Sequence, residues 1–149
     1  MKVAIEARRL RERDRLSIPW LFLEGPDWQL ANGGDVLAVL SAPGRIRIVP
    51  WVPSGEKVWR RRDELEDQDD SEAIEALMHL VDVYQRVAVE KAGQAGRITI
   101  TEYLSAHLGQ DSTAAIYVVG AASSVELWAS WYRNKRIETR HRSLQDLPE

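Results

Sequence analysis

The stretch Arg15-Leu16-Ser17-Ile18-Pro19 recurs in kind 82 positions later, inside Gly96-Arg97-Ile98-Thr99-Ile100-Thr101. Each copy has an arginine, then apolar and small hydroxyl residues in alternation, then a residue suited to starting a helix. Period-two alternation marks a strand with one apolar face. After a Gly-containing break each copy reaches a second β-like run, Val36-Leu37-Ala38-Val39-Leu40 and Ala115-Ile116-Tyr117-Val118-Val119. A third follows in each, Arg45-Ile46-Arg47-Ile48-Val49 and Val125-Glu126-Leu127-Trp128. Such an internal repeat governs the fold assignment, because the same unit is then built twice.

Outward from the first copy, residues 3–9 read as a strand with Val3 and Ile5 on one face, followed by an arginine-rich turn from Arg8 to Asp14. Pro19 predicts about one turn of helix, which Gly25-Pro26 ends. The continuous apolar run Trp20-Leu21-Phe22-Leu23 predicts a turn buried on more than one side. Asn32-Gly33-Gly34-Asp35 reads as a tight turn before Val36, and Ala42-Pro43-Gly44 as the turn of a hairpin.

Glu56 to Asp70 is a charge-rich connector. Ser71 is then the expected N-cap of a helix over 71–86, whose stripe of Ile74, Leu77, Met78, Val81 and Tyr84 predicts a packing face. From the second copy, Thr101 caps a helix through Leu108 that Gly109 ends. A last helix from about Ser130 carries Arg133, Lys135, Arg136, Arg140 and Arg142, and residues 143–149 are expected to fray.

The chain has 149 residues, no cysteine and a formal net charge of −3. Without cysteine, disulfides and thiolate metal sites are excluded. No apolar leader-like segment opens the chain and no run is long enough for a membrane helix, so a cytoplasmic protein is expected. The charge is segregated: residues 1–62 carry 12 Lys/Arg and 7 Asp/Glu, residues 63–75 carry 8 acids and no base, and residues 76–149 balance at 8 and 8. A basic first half suits a polyanion, and an acidic connector suits a solvated hinge.

Enzyme chemistry has little to stand on in this sequence. His79, His107 and His141 lie far apart without a metal-ligand spacing, and His79 sits in the helix of the apolar stripe, where a structural role is expected. No nucleophile elbow, P-loop or dinucleotide fingerprint is present. The acids of 63–75 lack the glycine and spacing of a calcium loop. Neither a catalytic nor a metal site, nor any cofactor, is expected. The tryptophans at 20, 28, 51, 59, 128 and 131 fit core or subunit packing better than base stacking.

The strongest functional feature is the turn Arg8, Arg9, Arg11, Arg13, Arg15. A guanidinium donates in parallel to phosphate oxygens and also reads guanine edges. Glu6, Glu12 and Asp14 temper its charge. Arg60-Arg61-Arg62 is weaker, being followed directly by acids.

Taken together, the two halves resemble the MraZ family of the AbrB/SpoVT superfamily. The resemblance covers nearly the whole chain, from Arg15-Leu16-Ser17-Ile18-Pro19 through Ile48-Val49-Pro50, Gly96-Arg97-Ile98-Thr99-Ile100 and Val118-Val119-Gly120 to Val125-Glu126-Leu127-Trp128. It implies a mainly β, α+β fold: two tandem swapped-hairpin modules forming a small β-barrel, joined by a helical linker. The expected divisions are 1–55 for the first module, 56–86 for the acidic linker and helix, 87–142 for the second module with its C-terminal helix, and 143–149 for a tail. The resemblance further implies a nucleoid-associated transcriptional regulator. It would act as a ring-like homo-oligomer on promoter direct repeats of double-stranded DNA in a division and cell-wall gene cluster, without a membrane or small-molecule substrate.

The family signature is Asp-x-x-x-Arg at the first turn of each module. Arg15 and Arg97 keep its arginines, while Arg11 and Gly93 stand where the aspartates would be. Arg13 keeps a basic position, and Gly96 keeps the glycine that Asp14 replaces in the first copy. The expected DNA contacts are Arg13 and Arg15, supported by Arg8, Arg9 and Arg11, with Arg97 in the second half. The lost aspartates motivate a rival expectation, an assembly or protein-interaction module of the same fold without DNA binding. A dimeric AbrB-type regulator fits less well, since both modules lie in one chain.

Overall fold

The alternation at residues 15–19 folds as strand β2 (Arg15–Pro19), burying Leu16 and Ile18 and turning Arg15 and Ser17 outward. The computed structural model describes residues 4–8, 14–111, 114–121 and 123–145. The second copy forms β6 (Ala95–Thr99), antiparallel to β2, with Leu16 directly opposite Ile98. The remaining strands are β1 (Ala4–Arg8), β3 (Gly33–Ala42), β4 (Arg45–Pro50), β5 (Tyr84–Ala92), β7 (Ile116–Ala121) and β8 (Ser124–Ala129). All belong to one sheet in the order β1-β7-β8-β4-β3-β5-β6-β2.

Chain connectivity curls this sheet into a nearly closed barrel. Laid flat, its edge strands β1 and β2 would lie about 34 Å apart at the usual strand spacing. Yet Arg8 and Arg15 end and begin these two edges, and seven residues of extended chain reach only about 25 Å. Inward residues of β2 to β8 fill the interior, among them Leu16, Ile18, Val36, Ile46, Ile48, Ile98, Val118 and Leu127. Exchanging the first four strands for the last four turns β1–β7 into β5–β3 and β3–β4 into β7–β8, and leaves β4–β8 and β2–β6 unchanged. The β5–β6 ladder has no β1–β2 counterpart among the described residues, and the barrel is open there.

Several local expectations need correction. Gly33 and Gly34 belong to β3 rather than to a turn, opposite Glu90 and Val89. A Cβ on Gly33 would sit 2.5 Å from the Val89 carbonyl oxygen, so this close ladder requires glycine. After the short 3₁₀ turn Trp20–Phe22, Trp20 and Leu23 are buried but Leu21 is 72% exposed. Three residues per turn leave one of them facing out.

The charge-rich connector is largely a helix, α1 (Glu56–Glu66). Its charges form Arg61–Glu64 and Arg62–Glu66 pairs at 3.3 Å, the spacing that supports a helix. Trp59 meets Trp51 edge to face at 5.1 Å, and Arg86 of β5 stacks 4.4 Å from the Trp51 ring while donating to Asp35 of β3 at 2.9 and 2.5 Å. This cluster fastens α1 to the barrel.

Helix α2 (Ser71–Val83) is capped by Asp70, whose carboxylate accepts from the Ala73 amide at 2.7 Å, and Ser71 is its first helical residue. It stops at Val83, short of 86, because Gln85 and Arg86 pair with Ala38 and Leu37 in the ladder. Its expected packing stripe is only partly covered: Ile74 is 50% and Met78 60% exposed. The helix turns Ala73 into the protein instead, and His79 is exposed rather than structural.

Helix α3 (Glu102–Leu108) is capped by Thr101 and closed by left-handed Gly109, as its sequence predicts. Tyr103 donates to the Asp82 carbonyl at 2.7 Å, and desolvation, then the Asp82 charge and hydrogen bond, raise its phenol above the ordinary value. The final helix, α4 (Ser130–Gln145), begins where expected and continues through 143–145, which were expected to fray. Residues 146–149 lie outside the described residues.

The β3–β4 turn is held from two sides. His107 Nε2 lies 2.6 Å from the Ala42 carbonyl oxygen and 2.9 Å from that of Arg45, so this nitrogen carries the proton and donates. Trp131 covers Gly44, which has a φ of +80°, and a Cβ there would come within 2.4 Å of the indole ring. Gly44→Ala combines a left-handed backbone with overpacking and is expected to cost roughly 1–3 kcal/mol. Thermal unfolding of the variant measures this, and an unchanged melting temperature contradicts it.

Candidate nucleic-acid interface

The β2–β6 pair carries the arginines of both repeat copies on its outer face. Register places Arg15 opposite Thr99 and Ser17 opposite Arg97, so the two arginines lie diagonally about the Leu16–Ile98 pair. Strand alternation sends the apolar residues inward and these four polar ones outward. Hydroxyls therefore sit across from both guanidinium groups.

The two arginines differ in their surroundings. Arg15 is partly exposed, with Nη1 3.9 Å from a Glu90 carboxylate oxygen. At 73% exposure of the Glu90 side chain, that pair contributes at most about 1 kcal/mol. Glu90 also lies opposite Arg97 in the β5–β6 ladder. Nε of Arg97 is buried and has no hydrogen-bond partner among the described residues. An enclosed, unsatisfied cationic donor is costly.

The β4–β8 pair is four places from β2–β6 around the eight-stranded sheet and so lies across the barrel. One of its two arginines is differently committed: Arg45 is paired with Glu126, whose side chain is only 16% exposed, while Arg47 on the same strand is exposed.

Of the other expected contacts, Arg8 closes β1, facing Ile116 of β7 in the backbone ladder. Arg9, Arg11 and Arg13 lie outside the described residues. Arg15 and Arg97 are thus brought together on the β2–β6 pair. Glu90 escaped the sequence reading, since 75 residues separate it from Arg15 and nothing local joins them. Ser17 and Thr99 stood in the repeated phrase, but their placement opposite the arginines depends on strand register.

Two further charged surfaces flank the barrel. On α4, Arg133 lies 4.4 Å from the Tyr117 ring and Arg136 5.2 Å from that of Trp128. Between this helix and the β3–β4 turn runs an open groove of about 850 Å³, lined by Trp128, Trp131 and Tyr132 together with basic side chains. The acidic α1–α2 hairpin packs through α2 on β3 and β5. Among the described residues no group of three or more metal-ligating side chains converges, and no helix is long and apolar enough to cross a membrane.

No protein-family model matches the chain, and comparison with curated proteins gives no significant match.

Proposed function

We propose that the chain is a sequence-specific DNA-binding transcriptional regulator of the MraZ kind, built from two swapped-hairpin modules and acting as a closed homo-oligomer on direct repeats. The observation that carries this reading is the outer face of the β2–β6 ladder, where Arg15 and Arg97 lie diagonally about its centre and Nε of Arg97 lacks a partner among the described residues. The exchange of β1–β7 for β5–β3 supports the duplicated module, because each half lends its first strand to the third strand of the other.

In this mechanism the guanidinium groups take phosphate or guanine edges, and Ser17 and Thr99 add hydroxyl donors. Arg15 exchanges Glu90 for DNA as it docks. One protomer makes few phosphate contacts, so repetition around an oligomer supplies avidity along repeated sites.

Glu90 beside Arg15 also favours a second reading, an assembly module of the same fold whose arginines are internally neutralised. Fluorescence anisotropy with double-stranded DNA from upstream of the protein's own gene separates the two. Regulator function predicts affinity falling steeply with salt, each phosphate contact adding about 0.9 to the log–log slope. Absence of salt-sensitive binding assigns the chain to the assembly reading.

A further inference from the structure

We infer that copies of this chain associate head to tail, the acidic α1–α2 hairpin of one seating in the basic aromatic groove of the next copy's α4. The inference rests on the homo-oligomer in the reading above and supplies its interface.

Charge complementarity commits the groove to this occupant. Residues 63–75 contain eight acids and no base, and Glu72 and Glu75 are exposed on α2. The facing groove offers Arg133, Lys135, Arg136 and Arg140. Apolar surfaces match as well. Ile74 and Met78 stand on the same helix as those acids, half or more exposed, while Trp131 in the groove remains 40% exposed. Methionine and isoleucine against tryptophan bury surface that each side leaves in water.

Helix α2 packs on β3 and β5, whereas α4 packs on β8 and β7, strand pairs on either side of β4. Complementary patches at different places on one molecule make heterologous contacts, which close into a ring or extend as a filament. The β2–β6 face takes no part and stays open to DNA.

Light scattering on the full chain at micromolar concentration, without DNA, tests this. Wild type is expected to be larger than a dimer. Glu72→Arg with Glu75→Arg, and separately Lys135→Glu with Arg140→Glu, are each expected to reduce the mass to that of a monomer. These positions are exposed, so circular dichroism of both variants should match wild type. Mixing the two variants restores charge matching at both surfaces and should regenerate an oligomer containing both. A wild-type monomer overturns the interface and the oligomer together. An oligomer indifferent to the reversals overturns the interface alone, as does a mixture that stays monomeric. DNA binding is measured separately, so its failure leaves this result intact.

Discussion

Replacing Arg15 and Arg97 together with alanine is expected to weaken DNA binding by roughly 2–6 kcal/mol per protomer, from about 1–3 for each arginine that reads bases. Even the lower bound is about 30-fold in dissociation constant. The sites are close enough to couple, so the single variants and the pair belong in one cycle. Salt dependence should flatten with each lost phosphate contact. Arg13→Ala belongs to the same series by its place in the basic turn. Glu90→Gln should act in the opposite direction and tighten binding, because it removes the carboxylate that Arg15 must leave. Arg61→Ala should do far less, since Glu64 already lies 3.3 Å from its guanidinium. If the double variant binds as tightly as wild type, the DNA surface lies elsewhere.

Leu16→Ala is expected to destabilise the fold by about 2–5 kcal/mol, and Ile98→Ala by a similar amount. Both side chains are essentially inaccessible, at 0% and 2% exposure, and they face one another across the β2–β6 ladder. Truncating either opens a cavity at the seam between the two halves. Against a typical total stability of about 5–15 kcal/mol, such a loss is a large fraction. Urea unfolding of each variant measures it. A loss below about 1 kcal/mol contradicts the tight packing at this pair. The double variant should lose less than the sum, because the second truncation enlarges a cavity already made.

How much could be read in the chain depended on the range of the forces involved. Local alternation sufficed for β2, β4, β6 and β8, since period two follows from the backbone of a single strand. Thr101 and Gly109 marked the ends of α3 because capping is a contact within a few residues. Misplaced elements were those decided by distant partners. Gly33-Gly34 carries turn chemistry, yet a neighbouring strand 57 residues away draws both glycines into a ladder. The 56–70 segment has the composition of a connector, yet its own ion pairs support a helix, and Trp51 and Arg86 fasten α1 to the barrel. Apolar periodicity announced α2 correctly, but which of its faces is covered depends on what stands beside it.

By itself the sequence determined the repeat: two arginine-led strands, each with its hairpin, a helix between them and a basic helix at the end. Tertiary structure alone decided that the halves interleave in one curled sheet, that Leu16 faces Ile98, and that Arg15 and Arg97 flank them diagonally on one outer surface. The physical reason is that alternation specifies which face of a strand is apolar, while partner and register come from long-range burial and closure of the barrel. A guanidinium's surroundings follow from that register. Glu90 meets Arg15, and Nε of Arg97 is enclosed without a partner among the described residues, where β5, β6 and β2 lie side by side.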